Sequence, residues 1–220
     1  MKKQLFKTGD GSFTLYLPEM NETYHSKFGA VNEAKHVFIK SGLQYINKDS
    51  VKILEVGFGT GLNAFLSLVF FLKTKKIKNI YYHSLEKFPL PGDITEKLNY
   101  FTSKKEKKLF EILHQSPWNQ EVEIVPGFVL YKQKTDLQDF KFPLLFDLVY
   151  FDAFAPNKQA ELWTPQIFSN LYGHMNKKGI FVTYSAKGQV RRDLASAGFD
   201  VERIEGPPGK REMLRAVKIN

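Results

Sequence analysis

A chain of 220 residues, 43% hydrophobic and 15% aromatic, can bury one sizeable core and is too short for two typical domains. The absence of cysteine excludes disulfides, thiolate metal clusters and a cysteine nucleophile. A formal charge of +9, from 32 Lys and Arg against 23 Asp and Glu, favours anionic partners such as nucleic acid over neutral metabolites.

The opening MKKQLFKTGDGSF has basic residues but no continuous apolar segment, so no secretory leader is expected. SFTLYL and ETYHS read as a strand pair turning around PEMN, and Ala30 to Ile46 places Val31, Ala34, Val37, Phe38 and Leu43 or Tyr45 at helical spacing. Residues 1–50 are thus expected to form an extension packed on a core spanning 51–220. In the core, strand and helix alternate: Val51 to Phe58 as a buried strand, Leu62 to Leu72 as a helix, Asn79 to Leu85 as a second strand. The Leu62 to Leu72 stretch is well short of the roughly 20 residues that cross a bilayer, so a cytoplasmic protein is expected. Asp93 to His114 follows as one or two helices, Val122 to Val125 as a third strand, FDLVYFDAF as a fourth and PQIFSNLYGHM as a helix opened by Pro165. GIFVTYSA is a fifth strand, GQVRRDLASAG a helix stopped by Gly198, and DVERIEG and REMLRAVKI a hairpin joined at PPGK. Strands separated by helices predict a doubly wound α/β fold with a mostly parallel sheet.

Ligands of such folds sit beyond the carboxyl ends of the strands, where the loop after the first strand meets a helix N-terminus. Gly57, Gly59 and Gly61 occupy that loop, where any side chain would hold a nucleotide-like ligand off the backbone. A dinucleotide fingerprint needs glycine at its sixth position; Leu62 stands there, which favours S-adenosylmethionine. Glu86, at the end of the second strand, is the natural acceptor for ribose hydroxyls. The histidines at 25, 36, 83, 114 and 174 show no zinc-type spacing, so no metal is expected.

A hairpin closing an otherwise parallel sheet resembles the Rossmann-like class I S-adenosylmethionine-dependent methyltransferases, which implies a seven-stranded sheet. Five segments extend the likeness over nearly the whole chain: YHSKFGAVNEAKHVF, ILEVGFGTGLN, SLEKFPL, FDAFAPNKQAELW, and VRRDLASAGF followed by GPPGKREML. Together they resemble the bacterial tRNA wobble-uridine methyltransferases, the family of the MnmC methyltransferase part and its stand-alone counterpart MnmD. The resemblance implies methyl transfer to the exocyclic amine of 5-aminomethyl-2-thiouridine, or its unthiolated analogue, in the tRNA anticodon stem-loop. It further implies an upstream enzyme that supplies the aminomethyl uridine, and leaves no room here for an FAD-dependent oxidase domain.

On this reading Glu55, Gly57, Gly59, Gly61, Asn63, Glu86, Lys87, Phe128 and Asp152 form the cofactor site. Asp152, ending the fourth strand, is placed to orient the amine and accept its proton. Phe154, Pro156 and Trp163 are expected to wall the site and stack on a splayed base. Lys158, Lys187, Arg191, Arg192, Lys210 and Arg211 are expected to meet tRNA phosphates. Tyr24 and Ser26 close over the methionine end by family likeness alone. Two departures from the family pattern stand out: Ala160 where proline is frequent, and Phe128 in VPGF where many methyltransferases carry an acid near the adenine. Two further readings fit the same residues: methylation of a small-molecule amine, and a catalytically silent tRNA-binding module.

Overall fold

The computed structural model describes residues 2–219. Three short antiparallel strands open the chain, β1 (Gln4–Lys7), β2 (Phe13–Leu17) and β3 (Glu22–Thr23). α1 (Ala30–Ala34) runs on as a π-helical stretch over Lys35–Lys40, then a 3-10 turn at Leu43–Tyr45. The helical spacing read over Ala30 to Ile46 thus holds, while β1, only four residues long and largely exposed, escaped the sequence reading.

The main sheet has eight strands: β4 (Ser50–Val56), β5 (Asn79–Glu86), β6 (Glu121–Val125), β7 (Phe128–Lys134), β8 (Phe146–Phe151), β9 (Met175–Thr183), β10 (Phe199–Glu205) and β11 (Glu212–Lys218). Their order is β10-β11-β9-β8-β4-β5-β7-β6. β4 pairs in parallel with β5 on one side and β8 on the other, so the chain reverses its direction of winding there, the crevice where ligands of open α/β sheets bind. β11 runs antiparallel to both β9 and β10, giving the hairpin expected at the C-terminus.

The eighth strand corrects the sequence reading. Val122 to Val125 belongs to β6, which pairs antiparallel with β7, and Pro126-Gly127 is merely the turn between them. The third parallel strand is β7, paired with β5 from Ile80↔Phe128 to Glu86↔Lys134. Phe128 therefore starts a strand instead of following one, at the sheet edge remote from the glycine loop.

Helices cover both faces because the central strands are buried on both; every residue of β8 is buried. On one face α2 (Leu62–Lys73), α4 (Lys104–Gln115) and the segment from α1 to Ile46 enclose a core with Phe38, Phe65, Tyr82 and Phe110. α2 is apolar nearly all round because it is sandwiched between sheet and extension. On the other face α5 (Pro165–Gly173), through Phe168, and α6 (Gly188–Ser196) join a core with Phe151 and Phe181. A short helix, α3 (Gly92–Thr95), precedes α4. No helix among the described residues is long and apolar enough to cross a membrane.

Candidate active site

β4 ends at Val56, and the next five residues turn through three glycines with positive φ, at 92° for Gly57, 51° for Gly59 and 71° for Gly61. A Cβ on Gly57 would lie 3.0 Å from the backbone oxygen of Asp152, and one on Gly59 would lie 3.3 Å from the Tyr24 ring. Both positions thus require glycine for conformation and for closeness. The turn is fixed to the neighbouring strand, since Gly57 and Phe58 N–H both donate to the Leu85 carbonyl, at 2.9 and 3.0 Å.

This loop borders a cavity of about 480 Å³ at the carboxyl ends of β4, β5, β7 and β8. On the β5 side, Glu86 accepts Gly59 N–H at 2.9 Å on one carboxylate oxygen and Phe88 N–H at 2.8 Å on the other. Each oxygen has a second lone pair that these two bonds do not use. Lys87 also borders the cavity, its ammonium 2.7 Å from an Asp136 carboxylate oxygen. Thr135, Asp136 and Leu137 complete this wall; they follow β7, so an acid borders the cavity eight residues beyond Phe128, where one was looked for. The signal was in the sequence, as KQKTDLQD after an apolar strand. Phe128 itself is fully buried against Phe71 and Tyr82 and touches no cofactor site.

The opposite wall holds a second set of charged groups. Asp152 follows β8, its N–H bonded to the Val56 carbonyl at 3.1 Å, and accepts Asn63 Nδ2 at 2.8 Å. Burial pushes its carboxyl well above the ordinary range; Glu33 adds to that push, while the Asn63 amide and the Lys210 ammonium oppose it. Glu33, from α1, accepts Lys210 Nζ and Ser26 N–H, each at 2.7 Å. Lys210 lies 4.0 Å from the Tyr184 ring centroid, and the Tyr184 hydroxyl donates to the Ala153 carbonyl at 2.9 Å. Tyr24 and Phe154 meet edge to face at 5.1 Å above the glycine loop. His25 bonds Thr14 Oγ1 at 2.9 Å, and burial pulls its imidazole down to about 4, so it is neutral at pH 7.

Of the residues read from sequence, Gly57, Gly59, Asn63, Glu86, Lys87, Asp152, Tyr24, Ser26, Phe154 and Lys210 border this one cavity. Gly61 caps α2, with its Cβ position 2.9 Å from His114, outside the cavity wall. Glu55 lies wholly buried beneath the loop. Trp163 is a correction: it donates Nε1–H to the Phe154 carbonyl at 2.7 Å and packs on Phe151, so it supports Phe154 from the core and is not available for stacking. Lys158 is exposed outside the cavity wall and donates to the Met20 carbonyl at 2.6 Å. Lys187, Arg191, Arg192 and Arg211 are exposed around the same sheet edge, outside the cavity. Sequence reasoning missed Glu33, His25 and Tyr184.

The cavity fits S-adenosylmethionine on this geometry. The glycine loop is open where a Cβ would close it, Glu86 could accept ribose hydroxyls, and the Thr135–Leu137 corner would be left for the adenine end.

The sequence family described as "S-adenosyl-L-methionine-dependent methyltransferase" matches residues 120–219. Strand order and glycine cradle give the chain the fold of the class I S-adenosyl-L-methionine-dependent methyltransferases. Within that class, the chain is 31% identical to the "tRNA 5-methylaminomethyl-2-thiouridine biosynthesis bifunctional protein MnmC" of Pseudoalteromonas atlantica, over 96% of this chain and 34% of that protein. The MnmC protein of Leptospira interrogans is likewise 31% identical, over 94% of this chain and 34% of its own length. The chain thus spans about a third of the curated relatives it matches. The crystal structure of MnmC2 from Aquifex aeolicus superposes with a TM-score of 0.81 at 26% identity, covering 99% of this chain and 70% of that one.

Proposed function

We propose that this protein methylates the exocyclic amine of 5-aminomethyl-2-thiouridine, or of its unthiolated analogue, at the wobble position of tRNA. The observation that carries the reading is the half-buried Asp152 carboxyl, held by Asn63 beside the glycine cradle in a fold shared along its whole length with an MnmC2. The names of the relatives supply the substrate class, and the +9 charge suits a polyanion.

S-adenosylmethionine, when bound, supplies a methyl group already activated by its sulfonium. Gly57, Gly59, Glu86 and the Thr135–Leu137 corner hold it. What remains for the protein is to deliver a neutral amine at near-attack distance and to keep water out. An alkylamine arrives protonated at neutral pH, and Asp152 accepts a hydrogen bond from it and takes the proton it must shed. Lys210 and Glu33 set the field in which Asp152 does so, and Tyr24 and Phe154 shut the mouth. Lys187, Arg191, Arg192 and Arg211 grip the anticodon-stem phosphates on the exposed rim. An upstream enzyme in the same cell supplies the free aminomethyl group.

The test combines the protein, methyl-labelled S-adenosylmethionine and tRNA bearing aminomethyl uridine, followed by nucleoside analysis. Labelled methylaminomethyl uridine is expected, with tRNA affinity falling in salt with a log-log slope of about 0.7 to 0.9 per phosphate contacted. Label on free amines with none on tRNA contradicts the proposal in favour of a small-molecule substrate. Retained tRNA without transfer contradicts it in favour of a silent binding module.

A further inference from the structure

Of the twenty phenylalanines, all but Phe28 and Phe88 are at least partly buried. These two are 65% and 62% exposed, the highest values among the large apolar side chains described, and both border the cavity. Single apolar side chains scattered over a surface are ordinary; the two most exposed ones standing at one opening need a reason. Both are anchored, one on each wall. Phe28 N–H donates to Ser26 Oγ at 3.2 Å, and Ser26 N–H is itself bound to Glu33 on the acceptor wall. Phe88 N–H donates to Glu86 on the cofactor wall. The Phe28 ring rests on Gly209, in the turn between β10 and β11, where a Cβ would overlap it. The ring is thus placed without being covered. A lysine precedes each ring, and Lys27 and Lys87 also border the cavity, with the Lys87 ammonium 5.5 Å from the Phe88 ring centroid.

A nucleobase can enter the cavity only by leaving the stack of its own loop, which uncovers a face on each of its two neighbours. An aromatic ring at the rim gives such a base a new stacking partner, and a cation beside the ring meets the adjoining phosphate. Two neighbours lose a partner, and two rings stand at the opening.

We propose that Phe28 and Phe88 are base-stacking residues, each taking the uncovered face of one of the two nucleotides that flank the methylated one. The inference rests on the proposed transfer to a base in an RNA loop. Its test reads binding and needs no methyl transfer.

The probe is a labelled stem-loop RNA with 5-aminomethyluridine in its loop, titrated by fluorescence anisotropy in the presence of S-adenosylhomocysteine. Phe28→Ala and Phe88→Ala are each expected to weaken binding by about 5- to 100-fold. In a loop whose relevant flanking nucleotide is abasic, the same substitution is expected to cost less than about twofold, with a different flank for each phenylalanine. A merely structural role would cost the same in intact and abasic loops. Phe28→Tyr is expected to bind within about threefold of wild type, and Phe28→Leu, apolar but without a ring, as weakly as Phe28→Ala. Calorimetric affinity for S-adenosylhomocysteine is expected to stay within about threefold of wild type in all these variants. Equal losses in the intact loop and in both abasic loops overturn the inference. A wild type that light scattering shows to be a dimer, and that becomes a monomer when both rings are replaced by alanine, also overturns it, in favour of a contact between copies. Coupling to the flanking bases in a wild type that transfers no methyl group would defeat the proposed reaction and uphold the stacking. Methyl transfer to tRNA without that coupling would do the opposite.

Discussion

The two walls of the cavity are built on opposite plans. The cofactor wall is made of backbone and strand ends: three glycines within five residues after β4, Glu86 ending β5, and Thr135–Leu137 following β7. Its polar groups are paired with backbone N–H groups and stay near the surface. The acceptor wall gathers buried charges from segments far apart in sequence, Glu33 with Lys210 across 177 residues and Asn63 with Asp152 across 89. The first wall offers close approach and hydrogen bonds, the second a low-dielectric pocket in which one carboxylate is held against its preference. Binding and chemistry should therefore be separable by mutation.

The sharpest separation is expected from Asp152→Ala. Loss of a positioned acceptor lowers turnover by about 10²- to 10⁴-fold, while S-adenosylhomocysteine affinity, read by calorimetry, stays near that of wild type. Glu86→Gln should do the reverse. It gives up charged hydrogen bonds worth about 1.5 to 3 kcal/mol, which raises the cofactor Kd by roughly ten- to a hundredfold and leaves saturated turnover little changed.

A smaller effect is expected at Lys210. Its ammonium opposes the burial that raises the Asp152 carboxyl, so Lys210→Met raises that group further. Activity needs the carboxylate and falls as pH falls through its folded pKa; the acidic limb of the pH–rate profile therefore moves to higher pH in the variant. The reverse movement would break the assignment of Asp152 as acceptor.

A separate effect concerns stability. Glu55 is raised from 4.5 to about 8 in the fold, so the folded state keeps a proton that the unfolded state has released. Its contribution to stability is fully present below about pH 4.5 and is lost as pH rises through about 8. Glu55→Gln has no such proton to lose. Its melting temperature relative to wild type should therefore climb between these two pH values, and a difference that does not vary with pH would count against the neutral acid.

The same contrast explains how much was legible in the sequence. The cofactor wall announces itself because its parts sit at strand ends and the loop is contiguous; Gly57, Gly59, Glu86 and Asp152 could be placed from strand order alone. β7 was hidden by Lys132. A lysine inside a strand reads as solvent-exposed, yet this one is 1% exposed, its ammonium bonded at 2.8 and 3.0 Å to the Leu113 and His114 carbonyls that end α4. It also lies 4.9 Å from the Trp118 ring centroid. Satisfying a helix C-terminus from a neighbouring strand is a tertiary event with no local signature. Missing β7 displaced the proposed adenine corner to Phe128. Glu33 was overlooked because an acid in an N-terminal helix looks like any surface residue until Lys210 closes on it. Trp163 was misplaced because an aromatic near a site can as easily hold up its wall as form it.

The most direct measurement is calorimetric titration of S-adenosylhomocysteine into three proteins: wild type, Gly59→Val and Asp152→Ala. One site is expected in wild type, essentially the same affinity in Asp152→Ala, and a loss of at least about tenfold in Gly59→Val, whose side chain meets Tyr24 and fills the cradle. Absence of binding to wild type, or equal affinity in all three proteins, would contradict the placement of the cofactor against the glycine loop and of the acceptor chemistry on the wall opposite.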